Sequence, residues 1–173
     1  KIRIGGISYS GSIGMQIKRM RLLLSLEYPL TKNPSPEASA SRLIYGGGGP
    51  DVLHGTDEDD DIRTGEGDST AWGYGGNDYV LASSGNHTLY GGEGNDILYV
   101  IGNGNDTLFG EDGNDTIASG NHNDYVYGGN DNDQVNGERG DDTLFGGQGN
   151  DGLGGGEAND ILFGDDGDDI VLG

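Results

Sequence analysis

One apolar position recurs along most of the chain at a fixed interval. Leu53, Ile62, Ala71, Val80, Leu89 and Leu98 stand nine residues apart. After one extra residue at Val100 the spacing resumes through Leu108, Ile117, Val126, Val135, Leu144, Leu153, Leu162 and Val171. Between these positions lie stretches rich in Gly, Asn and Asp, residues that supply positive φ and close turns. The pattern predicts a unit made of a glycine turn and a three-residue strand whose middle side chain faces inward. A short fixed period sets the architecture before any other signal is weighed, because each unit can bury its apolar side chain only against its neighbours.

Laid in register, fourteen copies run from Gly46 to Leu172, starting at Gly46, Gly55, Thr64, Gly73, Ala82, Gly91, Ile101, Gly110, Ser119, Gly128, Gly137, Gly146, Gly155 and Gly164. The cleanest is GGEGNDILY, Gly91 to Tyr99. The sixth position is Asp in twelve copies: Asp51, Asp60, Asp78, Asp96, Asp106, Asp115, Asp124, Asp133, Asp142, Asp151, Asp160 and Asp169. Ser69 and His87 are the exceptions. The fifth position is Asn or Asp in thirteen, with Pro50 the exception. These columns resemble the RTX family, whose calcium-binding nonapeptide is GGxGxDxUx with U a large apolar residue. The resemblance covers about three-quarters of the chain. It implies an all-β fold, a right-handed parallel β-roll (a β-solenoid) with two nonapeptides per coil, about seven coils, and calcium between stacked turns.

Two repeats per coil sort the copies into two columns on opposite edges. The column beginning Gly55, Gly73, Gly91, Gly110, Gly128, Gly146 and Gly164 keeps its Asp throughout, whereas Ser69 and His87 both fall in the other. A continuous calcium row is therefore expected on the first edge and an interrupted row on the second. In the family, the carbonyls of positions one and three join the Asp on one ion, and those of two and four join it on the next. Carried over, Gly91 and Glu93 would face one ion and Gly92 and Gly94 its neighbour, with Asp96 bridging. The same implication covers Gly73, Gly75 and Gly76; Gly110, Glu111, Asp112 and Gly113; Gly128, Gly129 and Asn130; and Gly146, Gly147, Gln148 and Gly149. Glu58, His122, Asp131 and Ala158 replace the fourth-position Gly and put their own sites in question. Calcium takes six to eight hard oxygens, carboxylate and carbonyl alike. Seven turns per edge allow six inter-turn sites, hence at most about twelve ions.

Charge sharpens this picture. The chain carries 30 acidic and 9 basic residues, net −21. Residues 1–45 are net +5 and the repeat block net −26. A block so acidic repels nucleic acid and anionic membranes, and by composition it belongs with disordered chains unless cations neutralise it. Twelve divalent ions would carry nearly the opposite charge. Folding and calcium binding are then expected as one event. The chain has no Cys, which excludes disulfides and thiolate metal sites. No apolar run is long enough to span a bilayer.

Residues 1–45 lie outside the repeat. Met20, Leu22, Leu24, Leu26, Tyr28 and Leu30 alternate as in a half-buried strand, which suits a cap over the first coil. A signal peptide is the other reading: Met15 opens a basic stretch, followed by LLLSL and then Ala38-Ser39-Ala40. The apolar run is short, however, and Glu27 interrupts it. Lys32 to Ser41, with Pro34 and Pro36, reads as a linker. Leu43-Ile44-Tyr45 matches the strand of a decayed copy. The domain division expected is 1–45, cap or linker, and 46–173, roll.

The outward positions differ between columns. Position nine on one face reads His54, Trp72, Tyr90, Phe109, Tyr127, Phe145 and Phe163, flanked at position seven by Thr70, Thr88, Thr107 and Thr143. A ladder of six stacked aromatics is expected there. It either stabilises parallel strands or docks a neighbouring domain, a glycan or another copy of the chain. His54, His87 and His122 occupy different repeat positions, and no GxSxG, HExxH or phosphate-loop Lys is present, so no catalytic constellation is expected. An EF-hand is excluded by the nine-residue period.

The function expected is a calcium-binding module of a secreted or cell-surface protein, unfolded during type I export at low cytosolic calcium and folded outside. Two alternatives stand beside it. One is a module of an RTX enzyme (protease, lipase or alginate epimerase) whose catalytic domain is not in this chain. The other is an adhesive unit that self-associates through coil ends or the aromatic face. A fragment of a longer protein would account for a repeat that stops at Gly173.

Overall fold

The structure is a computed structural model that describes residues 41–173 and, before them, strands β1 (Ile2–Ile4) and β2 (Ile7–Tyr9). β1 and β2 pair antiparallel, Ile2 opposite Tyr9 and Ile4 opposite Ile7, within a unit spanning Lys1–Glu37. The alternating stretch from Met20 to Leu30, and with it the expected cap, falls outside the described residues.

The second unit, Ala38–Gly173, is built from parallel strands, with no helix among the described residues. An eight-stranded sheet stacks β3 (Leu43–Gly48), β5 (Asp61–Glu66), β7 (Tyr79–Ala82), β9 (Ile97–Val100), β11 (Thr116–Ala118), β13 (Gln134–Asn136), β15 (Gly152–Gly154) and β17 (Ile170–Leu172) in that order. A seven-stranded sheet stacks β4 (Val52–His54), β6 (Thr70–Gly75), β8 (Thr88–Glu93), β10 (Thr107–Asp112), β12 (Tyr125–Asn130), β14 (Thr143–Gln148) and β16 (Ile161–Asp166). The chain crosses from one sheet to the other at every glycine turn, so two nonapeptides make one coil. About seven coils stack into a β-solenoid, as the period predicts. Leu43-Ile44-Tyr45 is indeed a strand and pairs with β5.

Each residue pairs with its equivalent two repeats along: Ile62 with Val80 and Val80 with Leu98 in one sheet, Val126 with Leu144 in the other. The inward side chains form one file per sheet, and from Ile62 to Leu153 they are buried. The extra residue at Val100 does not bulge outward. It turns inward, 2% exposed, opposite Ala82, and adds a methyl-bearing side chain to the core.

Backbone conformation explains the glycines. Positions two and four of the turn lie in the left-handed region, as at Gly92 (φ 119°) and Gly94 (φ 128°). A Cβ at either would overlap the carbonyl oxygen of Tyr74 or Gly76 in the preceding coil. His122 (φ 82°), Asp131 (φ 72°) and Ala158 (φ 101°) adopt the same conformation without glycine, so their turns keep the backbone conformation of the glycine turns. Glu58 does not have a positive φ, and its turn is built differently, as shown below.

Repeat positions seven and nine, which face outward, are almost free of charge; among the described residues Asp61 and Arg63, paired with each other at 2.9 Å, are the only charged ones at those positions. The expected aromatic ladder forms in two runs. His54 stacks on Trp72 (4.8 Å, 8°), Trp72 on Tyr90 (5.5 Å, 1°) and Tyr90 on Phe109 (5.0 Å, 10°). A second run joins Phe145 to Phe163 (4.8 Å, 13°). The parallel stack does not continue through Tyr127. In that coil Tyr125 stands where neighbouring coils carry Thr, and both tyrosines tilt against Phe145, at 47° and 48°.

Ala158 tests the turn geometry. An L-residue at φ 101° is strained, so Ala158→Gly should raise the stability of the calcium-saturated protein by about 1 kcal/mol. A urea midpoint that stays put or falls would show that this turn does not hold the conformation described.

Candidate metal centre

The sixth-position aspartates sit where each turn re-enters a strand, and the strand's pleat directs their side chains into the turn. They are buried from Asp78 to Asp151. One oxygen of each has a defined task. Asp96 Oδ1 accepts the amide N–H of Asp78 at 2.7 Å, Asp115 Oδ1 that of Asp96 at 2.7 Å, and Asp133 Oδ1 that of Asp115 at 2.8 Å. The same bond continues to Asp151 and Asp169 on this edge, and on the other edge links Asp106, Asp124, Asp142 and Asp160. Each carboxylate thus clamps the coil before its own.

The second oxygen has none of this. Oδ2 of Asp51, Asp78, Asp96, Asp106, Asp115, Asp124, Asp133, Asp142 and Asp151 is buried with no hydrogen-bond partner. An unpartnered buried carboxylate oxygen costs several kcal/mol when charged. Except at Asp106 and Asp124, whose turns begin with Ile101 and Ser119, each lies against the first glycine of its own turn, so closely that a Cβ at Gly73, Gly91, Gly110 or Gly146 would overlap it. Burial also pushes the carboxyls of Asp78, Asp96 and Asp133 up to about 7, Asp124 to about 8, and Asp106, Asp115 and Asp142 to about 6. Neighbouring aspartates in the same row add to the rise at Asp78, Asp96 and Asp133. Such oxygens await a proton or a cation.

Among the described residues no three His, Cys, Asp or Glu side chains converge on one point. A cation here would have to take most of its ligands from turn carbonyls. Those carbonyls stand in files along the edge, since Gly91 and Gly110, Gly92 and Tyr74, and Gly94 and Gly76 approach too closely for a Cβ between them. Carbonyls at the third position already accept one amide each: Asp112 from Gly94 at 2.7 Å, Asn130 from Gly113 at 3.2 Å. The second lone pair remains. The donor set is all oxygen, neutral carbonyls around one carboxylate, and suits a hard divalent ion of calcium's size.

Three turns depart from the pattern. Asp60 spends Oδ2 on the Thr56 amide (2.7 Å) and hydroxyl (2.9 Å), because Thr56 replaces the second-position glycine; here the protein itself satisfies the carboxylate. On the other edge, the turns holding Ser69 and His87 lack the first glycine as well. Thr64 and Ala82 occupy that place, fully buried, and Val100 packs beside Ala82. Side-chain atoms fill the cradle that a first-position glycine leaves open. Ser69 Oγ bonds the Asp51 amide (3.2 Å) and Gly67 carbonyl (3.3 Å) in place of a carboxylate. His87 is buried with both ring nitrogens unpartnered, and burial pulls its pKa down, so it sits neutral.

A second ladder, unforeseen as such, runs along the fifth position. Asn77 Oδ1 accepts the Asn95 amide (2.9 Å), Asn95 Oδ1 that of Asn114 (2.8 Å), and Asn114 Oδ1 that of Asn132 (3.2 Å). It clamps the coil after its own, opposite in sense to the aspartate ladder. The near-invariant fifth column was its signal.

The family model for the RTX calcium-binding nonapeptide repeat (four copies) matches residues 43–71, 54–86, 72–100, 101–135, 120–153, 127–162 and 153–173, which together span 43–173. No curated protein matches the chain.

The raised aspartate values give a pH dependence opposite to that of ordinary acid denaturation. Without a metal, the contribution of these carboxyls to stability is fully present below about pH 4, where they are protonated folded or unfolded, and is lost as pH rises through 6 to 8. In chelator, circular dichroism should therefore show more β-structure at about pH 4.5 than at about pH 8. Stability rising with pH under chelation would refute the burial of these carboxylates.

Proposed function

The chain belongs to the RTX calcium-binding nonapeptide-repeat family, and on that footing we propose that residues 46–173 are a calcium-folded module of a secreted or cell-surface protein. Its repeats form a calcium-binding β-solenoid; the finer reading concerns which residues hold the ions and what holding them achieves. The row of nine buried, unpartnered Oδ2 atoms carries this reading. Asp78, Asp96, Asp115, Asp133, Asp151 and Asp169 on one edge, with the first four residues of each turn, would hold one ion between each pair of coils. Asp106, Asp124, Asp142 and Asp160 would do so on the other. Around Ser69 and His87 packed side chains take over, so the second row is interrupted. Fewer than twelve ions bind.

Calcium bound there neutralises carboxylates that otherwise repel along each edge and cross-links adjacent coils. Cytosolic calcium would leave the acidic block unfolded and fit to pass an export channel, and extracellular calcium would fold it. Residues 1–45, net +5, serve as cap or linker to this module.

Asp133→Asn tests the ligand assignment, because the amide keeps the bond to the Asp115 N–H and removes only the charged oxygen. Equilibrium dialysis with radioactive calcium should show a loss of about two ions per chain, with a severalfold higher folding midpoint, as expected for a carboxylate bridging two sites. Ser69→Asn should change neither. Unaltered stoichiometry in Asp133→Asn would remove Asp133 from the ligand set.

A further inference from the structure

The two outward faces of the roll differ in a way that the repeat does not require. On the seven-stranded sheet the rings of His54, Trp72, Tyr90 and Phe109 lie face to face, so the facing sides of successive rings cover one another. On the eight-stranded sheet Tyr99 pairs in register with Leu81 on one side and Ala118 on the other. Ala118 is too small to cover the ring, and Tyr99 is 38% exposed.

Beyond Ala118 the face sinks into a groove of about 580 Å³, walled by Tyr99 at one end and by Ile170 and Leu172 at the other. Its floor includes Gly152 and Gly154. Glycine within a strand marks close approach by a ligand or another backbone, and at Gly154 no crowding demands it, since a Cβ there would meet only Asn136 Oδ1, at 3.6 Å. Two amides cross the floor. Gln134 lies over Gly152 with Nε2 donating to the Asp133 carbonyl at 2.9 Å, which leaves Oε1 as an acceptor. Asn136 Oδ1 accepts the Glu138 amide at 3.2 Å, which leaves the NH₂ group as a donor.

We infer that this groove binds a neutral oligosaccharide. An exposed ring face beside fixed amide donors and acceptors matches the two surfaces of a sugar, its C–H face and its hydroxyl rim. The floor at Gly152 and Gly154 presents neutral amides, with Asp151 of the lining buried, while exposed Glu138 and Asp168 stand at the border and repel uronic-acid or sulfated polymers. An extended peptide is a poor occupant, because β11, β13 and β15 are each paired on both sides and offer no free main-chain groups. The groove spans four strand spacings, about 19 Å, which suits a short chain of sugars rather than one.

The calcium-loaded full chain, titrated with maltohexaose, cellohexaose and, as the anionic control, polygalacturonate, tests this by calorimetry and by amide chemical shifts. One neutral hexasaccharide should bind and shift the amides of Ala118, Gly152 and Gly154, and polygalacturonate should not. Tyr99→Ala should weaken binding about tenfold, and Gly154→Leu, which fills the floor, should abolish it. Trp72→Ala on the opposite face should leave binding unchanged. Circular dichroism of each variant in calcium separates a lost site from a lost fold, and Gly154→Ala serves if Gly154→Leu fails to fold. Binding of neither neutral hexasaccharide, equal binding of polygalacturonate, or sensitivity to Trp72 rather than Tyr99 would overturn the assignment.

Discussion

A carboxylate can be buried in a protein when both of its oxygens find partners, and in this roll the chain supplies a partner for only one. Oδ1 takes an amide N–H from the coil before it, as Asp115 does from Asp96, while in nine turns Oδ2 is buried and meets nothing, in seven of them against the first glycine of the turn. Much else follows from that geometry. The first position is glycine in most turns because the second oxygen lies there, and a Cβ at Gly91 or Gly110 would overlap it. The second and fourth positions must tolerate left-handed φ so that successive turns stack with their carbonyls in file. Only positions seven to nine of each nine-residue unit lie outside such a turn, although most strands run on into it, which leaves one inward apolar side chain per repeat and a core only two files wide. So thin a core, under so much charge of one sign, leaves cohesion to whatever occupies the turns.

The two exceptional turns show the same constraint in reverse. Where the sixth position gives up its carboxylate, at Ser69 and His87, the first gives up its glycine, at Thr64 and Ala82. Neutral side chains then fill both halves of the cradle. Val100 belongs to this substitution, since its side chain packs with Ala82 and extends the core toward the edge that has no ion to hold it. Part of one edge is thereby held by packing, and the other edge by carboxylates. Asp60 presents a third arrangement, in which Thr56 donates twice to the oxygen that elsewhere has no partner.

The architecture was legible because period, apolar column and aspartate column all repeat, and one damaged copy hardly blurs fourteen. The outward side chains were partly legible. Their faces follow from position in the repeat, yet stacking depends on local competition, and Tyr125 breaks the ladder at Tyr127 although both residues satisfy the pattern. The replacements at position four misled in the other direction: His122, Asp131 and Ala158 accept the left-handed conformation that their identities disfavour, because the neighbouring coils impose it. The groove beside Tyr99 carried no sequence signal of its own, since it arises from small residues in two coils, Ala118 in one and Gly152 and Gly154 in the other, that only stacking brings near Tyr99. The plugged cradle at Thr64 and Ala82 was equally hidden, being a relation between positions one and six and not a motif.

If the buried carboxylates need a cation to be stable in the fold, folding at neutral pH must follow calcium. Far-ultraviolet circular dichroism during a calcium titration, with magnesium in parallel, measures this directly. A cooperative coil-to-β transition with calcium alone is the predicted result, because magnesium holds its water shell and fits a carbonyl-lined cage poorly. A chain equally folded in excess chelator at neutral pH would contradict it, and would mean that the roll stands on strand pairing and core packing without its ions.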